Sequence, residues 1–213
     1  MHPKIFETFE TVIRGLPEPQ RVLEVGAGPS HATLLDIDAI RFATRRVAVG
    51  LDEKLHGWRA DIETHIANAN ALGMFPEGAF DMVLCNSMLE HDSRFWLSVA
   101  ELRRVTASQG HLVIGVPSFG RSGGRGRWLR ALRSIGRLGL LPQHMVDPVD
   151  AAMASTPVLR YHGFPDDYYR FSQNAVQDVL LEGFDLVSCE EVLSPPRVVA
   201  CGRKPGPLNS GTR

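Results

Sequence analysis

The stretch Arg21 to His31, RVLEVGAGPSH, decides how the chain is read. Val22, Leu23 and Val25 form a short apolar run of the kind a buried strand uses. Gly26 and Gly28 follow at once, opening a loop where side chains would obstruct a ligand. An acid, Glu24, stands two places before the first glycine. The dinucleotide fingerprint G-x-G-x-x-G asks for a third glycine at position 31, where this chain has His31, and asks for no acid in the strand end. The loop therefore describes a nucleotide-type site and disfavours hydride transfer.

The following landmarks keep the order of a doubly wound sheet. Thr33 to Phe42, with Leu34, Leu35 and Ile37 on one side, predicts a helix, and RRVAVGLD predicts a strand that ends in Asp52. Asp52 lies about one strand-helix-strand unit beyond the glycines, where an acid can accept hydrogen bonds from ribose hydroxyls. The competing use of Asp52 is to start a turn after a strand. Between Asp52 and Ile62, an interval that includes Gly57, there is little room for a full helix, so a loop or a single turn is expected.

The E-x-G-x-G arrangement of Glu24, Gly26 and Gly28 resembles the first motif of the class I S-adenosylmethionine-dependent methyltransferases. Phe75 to Pro117 resembles the middle of the type 11 branch of that family. The matching features are a Pro76-x-Gly78 turn, then Phe80, Asp81 and Val83, the pair Glu90 and His91, the helix residues Glu101, Arg104 and Val105, and a strand from His111 to Pro117. The resemblance covers about residues 20 to 117 and, more loosely, 164 to 203. It implies an α/β fold, a doubly wound, seven-stranded, mostly parallel Rossmann-like sheet, with S-adenosyl-L-methionine as methyl donor. On this reading Glu24 lies near the methionine portion of the cofactor, where a carboxylate can meet an ammonium group. Gly26 and Gly28 admit the cofactor to the backbone, Asp52 takes the ribose, and Asn86 lies on the cofactor side at the end of the fourth strand. The family commonly places an acid after the third strand against the adenine amino group, whereas this chain offers Asn68 and Asn70. An amide can still pair with adenine, and Asn70 is assigned to it.

Composition frames this core. The 213 residues, 44% of them hydrophobic, suffice for one sizeable core, and a single methyltransferase domain is expected over 1–203. A net charge of -1 gives no global pull toward nucleic acid or anionic membrane. Cys85, Cys189 and Cys201 are widely separated and read as reduced residues, with no disulfide framework and no metal site. No signal peptide and no run of membrane-spanning length stands out, so a cytoplasmic protein is expected. Ile5, Phe6, Phe9, Val12 and Ile13 fall at helical spacing before Gly15 and Pro17. Ser172 is expected to cap a helix to about Glu182, ended by Gly183, with a closing antiparallel hairpin from Phe184 to Leu193 and Arg197 to Gly202. A disordered tail is expected over 204–213.

The segment from about 119 to 165 lies outside the minimal fold, on the edge where open α/β sheets bind ligands, and is expected to form a lid. Its first half carries Arg121, Arg125, Arg127, Arg130, Arg133 and Arg137 without an acid, with Trp128, Leu129, Leu132 and Ile135 at helical spacing. Such a basic amphipathic helix suits an anionic acceptor, an acidic carrier or a peripheral membrane contact, or else is a solvated lid surface. Arg127 and Arg130 are assigned to the acceptor. His91, beyond the fourth strand, is the candidate general base, against a purely structural role at the start of the following helix with Asp92 near its cap. Tyr161, His162, Tyr168 and Tyr169 are candidates to orient the acceptor, by resemblance to relatives with a lid insertion. The expected function is methyl transfer to a small-molecule or carrier-bound acceptor, at oxygen by family frequency. The alternatives are a nicotinamide-dependent oxidoreductase and a non-catalytic S-adenosylmethionine-binding partner protein. An Asp/Asn-Pro-Pro-Tyr-type motif is absent, since Cys85-Asn86-Ser87-Met88 stands there, which argues against nucleic-acid bases as acceptors.

Overall fold

The computed structural model describes residues 1–29, 32–119, 166–193 and 195–206. Seven strands form one sheet: β1 (Arg21–Val25), β2 (Arg45–Gly50), β3 (Glu63–Ile66), β4 (Phe80–Asn86), β5 (Thr106–Pro117), β6 (Asp185–Leu193) and β7 (Pro196–Arg203), in the order β3-β2-β1-β4-β5-β7-β6. The first five run parallel, and β7 is antiparallel to both β5 and β6. Val22, Leu23, Met82, Val83 and Leu84 are fully buried, as strands covered on both faces must be.

Each face of the sheet has its own apolar layer. On one side Ile5, Phe9 and Ile13 of α1 (Pro3–Arg14) pack with Val22, Met82, Leu84 and Val113. On the other, Val99, Leu102 and Val105 of α2 (Phe95–Val105) pack with Leu23, Val25, Val83 and Ile114. The strand order reverses between β1 and β4, and at such a point the carboxyl ends of the strands splay into a crevice.

Two polar ties fix the sheet at the amino ends of its strands, away from that crevice. Asp81 accepts from the Arg21 backbone at 2.9 Å and from its guanidinium at 2.6 Å, pinning the starts of β1 and β4 together. Glu101 accepts from the Leu72 backbone at 2.7 Å, and its partner Arg104 donates to the carbonyls of Leu72 and Phe75 at 2.9 and 2.8 Å. The Glu-x-x-Arg spacing is thus one turn of α2 holding the loop that enters β4.

Several local expectations are corrected. The helix expected over Thr33 to Phe42 is a short 3₁₀ turn, Leu34–Asp36, followed by turns. Thr33 donates to the buried carboxylate of Glu24, which also accepts from Leu34 N at 3.1 Å, so the segment begins bound to the sheet. Asp36, Ile37 and Asp38 then add weak helix formers. The interval after Asp52 holds a single 3₁₀ turn, Glu53–Leu55, as expected. Ser172 does accept from Ala175 N at 3.1 Å, but the helix it opens winds as a π-helix over Ala175–Leu180, and Gly183 beyond it takes φ +79°. Lys204, expected in the loose tail, donates from Nζ to the carbonyls of Arg103 and Thr106, both at 2.8 Å. Residues 207–213 lie outside the described residues, as do 120–165 and with them most of the expected lid, its arginines, Tyr161 and His162. Among the described residues no helix is long and apolar enough to cross a membrane.

Candidate active site

A cleft of about 720 Å³ opens at the carboxyl ends of β1, β2 and β4. Its floor is made by close backbone crossing. Gly26 and Ala27 donate their N–H groups to the Val49 carbonyl at 2.9 and 3.0 Å, which draws the loop after β1 over the end of β2. Gly26 takes φ +89°, and a β-carbon there would stand 2.7 Å from that of Met88. Only glycine fits both the torsion and the space.

Glu24, Gly26, Gly28, Asp52, Asn70, Asn86 and His91 all line this cleft. Glu24 is 5% exposed, and burial raises its pKa against the opposing hydrogen bonds from Thr33 and the Leu34 backbone. Asp52 accepts from Lys54 N at 3.0 Å, so it starts the short turn after β2 while its exposed side chain edges the cleft. The turn-starting and ligand-facing uses of Asp52 are compatible in one geometry.

A polar network closes the far end. Asn70 donates from Nδ2 to Asn68 Oδ1 at 2.8 Å and to Asp92 Oδ2 at 3.2 Å, and Asp92 Oδ2 also accepts from Ser98 Oγ at 2.7 Å. The amide oxygen of Asn70 is buried without a hydrogen-bond partner among the described residues, and so is that of Asn86. A buried acceptor left unmade costs about 1–3 kcal/mol, so both oxygens fit a ligand that brings donors. Asp92 and Ser98 were not picked out from the sequence as cleft residues. The signal was faint, since Asp92 reads as a helix-start residue, and it does accept from Arg94 N at 2.8 Å.

The opposite end holds ionisable groups. His91 Nδ1 lies 3.3 Å from the Asp166 carbonyl, and its Nε2 is 3.9 Å from Glu90 Oε1. An Nδ1–H donated to that carbonyl fixes the tautomer in which Nε2 is the basic nitrogen. Glu90 is fully buried, and desolvation pushes its pKa up to about 7 against the pull of Arg197. Arg197, at the start of β7, lines the cleft and escaped the sequence reading, because only the hairpin register brings it opposite Pro117 at the end of β5.

The two described tyrosines are placed otherwise. Tyr169 donates its hydroxyl to the Ser93 carbonyl at 3.1 Å and packs edge-on against Phe95, with ring centroids 5.0 Å apart. Tyr168 donates to Asp166 Oδ1 at 3.1 Å and is 52% exposed. Neither is among the residues lining the cleft, although their backbone N–H groups hold the Glu90 carbonyl at 3.3 and 2.8 Å. Tyr161, His162, Arg127 and Arg130 lie outside the described residues.

A doubly wound sheet with a glycine-floored cleft at its reversal point defines a nucleotide-binding enzyme class. Within that class, residues 19–114 match the family model described as a methyltransferase domain, of type 11. Over those residues the chain is similar to the S-adenosylmethionine-dependent methyltransferases. Its fold resembles the Burkholderia thailandensis 1,6-didemethyltoxoflavin-N1-methyltransferase solved with 1,6-didemethyltoxoflavin and S-adenosylhomocysteine. That pair is 18% identical with a TM-score of 0.59 over 94% of this chain and 78% of that one. The N-methyltransferase NodS of Bradyrhizobium japonicum WM9, solved with S-adenosylhomocysteine, is 12% identical at a TM-score of 0.58 over 95% and 86%. The [4+2]-cyclase SpnF is also similar, 12% identical at 0.60 over 95% and 81%, so the fold alone does not fix the reaction. A search of curated proteins by sequence finds no match.

Proposed function

We propose that the protein methylates an oxygen of a small-molecule or carrier-bound acceptor, with the cofactor lying across the glycine floor and the acceptor entering beside His91. The observation that carries this reading is the polarity of one cleft. Glu24 and Asp52 line its β1–β2 side, His91 and Arg197 line its β4–β7 side, and the amide oxygens of Asn70 and Asn86 are unmade acceptors among the described residues. Asn70 Oδ1 suits the adenine amino group, Asp52 the ribose hydroxyls, and Glu24 the ammonium group, with Gly26, Gly28 and Asn86 completing the cofactor side. The cofactor, when bound, supplies an activated methyl group on a sulfonium.

This chain's residues supply position and proton handling. Holding the acceptor atom in line is the larger contribution available to such a displacement. His91, held through Nδ1 at the Asp166 carbonyl, is proposed to take the proton of a hydroxyl through Nε2, a role that favours an oxygen acceptor over one that needs no base. Tyr168 and Tyr169 act on the acceptor indirectly, by holding the Glu90–His91 turn through their backbones. The arginine-rich segment, Arg127 and Arg130 included, is proposed to draw an acceptor that carries negative charge.

Titration calorimetry tests the cofactor side. S-Adenosylhomocysteine is expected to bind in the micromolar range, about -8 kcal/mol, with no comparable affinity for NAD. Binding of NAD and not of the sulfur compound would overturn the reading. A screen of hydroxyl, carboxyl and amine acceptors for S-adenosylhomocysteine release then tests the oxygen assignment, and turnover confined to amines would refute it.

A further inference from the structure

The guanidinium of Arg197 stands at the acceptor end of the cleft with unused hydrogen-bonding capacity. The residue is 8% exposed, it lines the cleft beside Pro195, and its Nη1 is buried with no hydrogen-bond partner among the described residues. Its nearest counter-ion is Glu90, with Nη2 3.8 Å from Oε1. That separation is an ion-pair distance and not a hydrogen bond, and both Glu90 oxygens are buried without hydrogen-bond partners among the described residues. Among the described residues the donor fork of Arg197 is therefore not consumed. A guanidinium stays charged under all ordinary conditions, and its planar fork matches carboxylate and phosphate oxygens.

We infer that Arg197, backed by Glu90, is an anion subsite, and that the methyl acceptor presents a carboxylate or phosphate group to it. The inference rests on the proposed methyl transfer and adds the chemical class of the acceptor. The position fits, because Arg197 pairs in register with Pro117, at the same sheet edge as Asn86 and His91. The walls nearby are apolar, from Met1, Ile5, Met88 and Pro195, so the favoured molecule has an apolar body and one acidic end. A cationic acceptor would meet the guanidinium as a like charge.

The surrounding charges support the same sign. Arg170 is held by Asp167, whose Oδ2 accepts from Nη2 at 2.6 Å, and that pair is formally neutral. His91 Nε2 lies 3.9 Å from Glu90 Oε1, Cys85 lies within the field of Glu90, and Arg170 and Asp167 act on Glu90 with opposite signs. Burial pushes the Glu90 carboxyl up to about 7, so below that pH it compensates the charge of Arg197 only in part. An anion on Arg197 favours the neutral form of Glu90 further, so anion affinity falls as pH rises above about 7.

The test titrates the S-adenosylhomocysteine-saturated protein with benzoate, phenyl phosphate and the neutral benzamide. The parent is expected to bind at least one of the two anions tenfold or more tightly than benzamide, and the tighter of the two names the group. The variant Glu90→Gln with Arg197→Met removes both charges at similar volume and is expected to lose that preference, with S-adenosylhomocysteine affinity within twofold of the parent. Arg197→Lys, which keeps the charge and loses the fork, is expected to fall between them. No preference for the anions in the parent, or an equal preference in the double variant, would overturn the subsite. The parent's own preference is read without any variant, so a double variant that fails to fold does not shelter the proposal. Failure of the parent to bind S-adenosylhomocysteine would overturn the cofactor reading and the subsite with it, whereas intact cofactor binding without anion preference would overturn the subsite alone.

Discussion

Gly50 and Ala27 cross so closely that a β-carbon on Gly50 would stand 2.2 Å from the Ala27 carbonyl oxygen. The same β-carbon would lie 2.7 Å from Leu55 Cδ1, so neither the backbone on one side nor the fully buried leucine on the other leaves room. Gly50→Ala is expected to destabilise the fold by roughly 2 kcal/mol or more, because overpacking against backbone forces the chain to move. Gly73→Ala, where a β-carbon meets nothing within 4 Å, is the matched control and should stay within about 0.5 kcal/mol of the parent. Urea unfolding of both variants measures the difference, and equal midpoints would refute the crossing as a constraint.

Asn70 is an amide for a reason the surrounding residues supply. Its Nδ2 donates to Asp92 Oδ2 at 3.2 Å, so the acid that relatives commonly carry in this region would here face a carboxylate. Asn70→Asp should therefore lower stability at neutral pH by about 1–3 kcal/mol and recover at low pH, once one of the pair takes a proton. Asp52→Ala, by contrast, should weaken S-adenosylhomocysteine binding by roughly 1–3 kcal/mol, with about 1 kcal/mol lost from the fold through the missing bond to Lys54 N. Calorimetry and thermal unfolding separate the two effects. Unchanged affinity in a folded Asp52→Ala variant would remove that residue from the cofactor site.

What the sequence disclosed follows the physics of each element. The central strands were legible because burial on both faces writes an unbroken apolar run, as in Val22, Leu23 and Val25. The glycines, Asp52, Asn70 and His91 were legible because their chemistry is local to strand ends, and these residues do meet in one cleft. Thr33 to Phe42 misled because its helical spacing competes with a tertiary bond that spacing does not contain, from Thr33 to Glu24. Arg197 was illegible for a related reason. Its surroundings exist only after β7 pairs antiparallel with β5 and carries it to Glu90. Tyr168 and Tyr169 follow the pocket in sequence, yet side-chain direction is set by the turn at Asp166, a non-glycine residue at φ +71°.

Replacing His91 tests the base directly. With the acceptor found by the screen, His91→Ala should lower kcat about a hundredfold while S-adenosylhomocysteine affinity stays within a few fold, since a base acts in the transition state. A variant that keeps its turnover but melts earlier would assign His91 to holding the turn at Asp166.

Glu90 predicts how stability responds to pH. Its carboxyl titrates near 4.5 when unfolded, and burial pushes it up to about 7 in the fold. Between those values the native state holds a proton that the unfolded chain has released, so this group's contribution is fully present below about pH 4.5 and is lost as pH rises to about 7. The loss approaches about 3 kcal/mol, from roughly 1.4 kcal/mol per unit over the interval. Glu90→Gln imitates the protonated form at every pH. It should match the parent near pH 4 and be the more stable of the two at pH 8, despite removing the only carboxylate within 4 Å of Arg197 among the described residues. Denaturant unfolding at both pH values checks this, and a Glu90→Gln variant that is less stable at pH 8 would mean that the attraction to Arg197 outweighs the cost of burying the carboxylate.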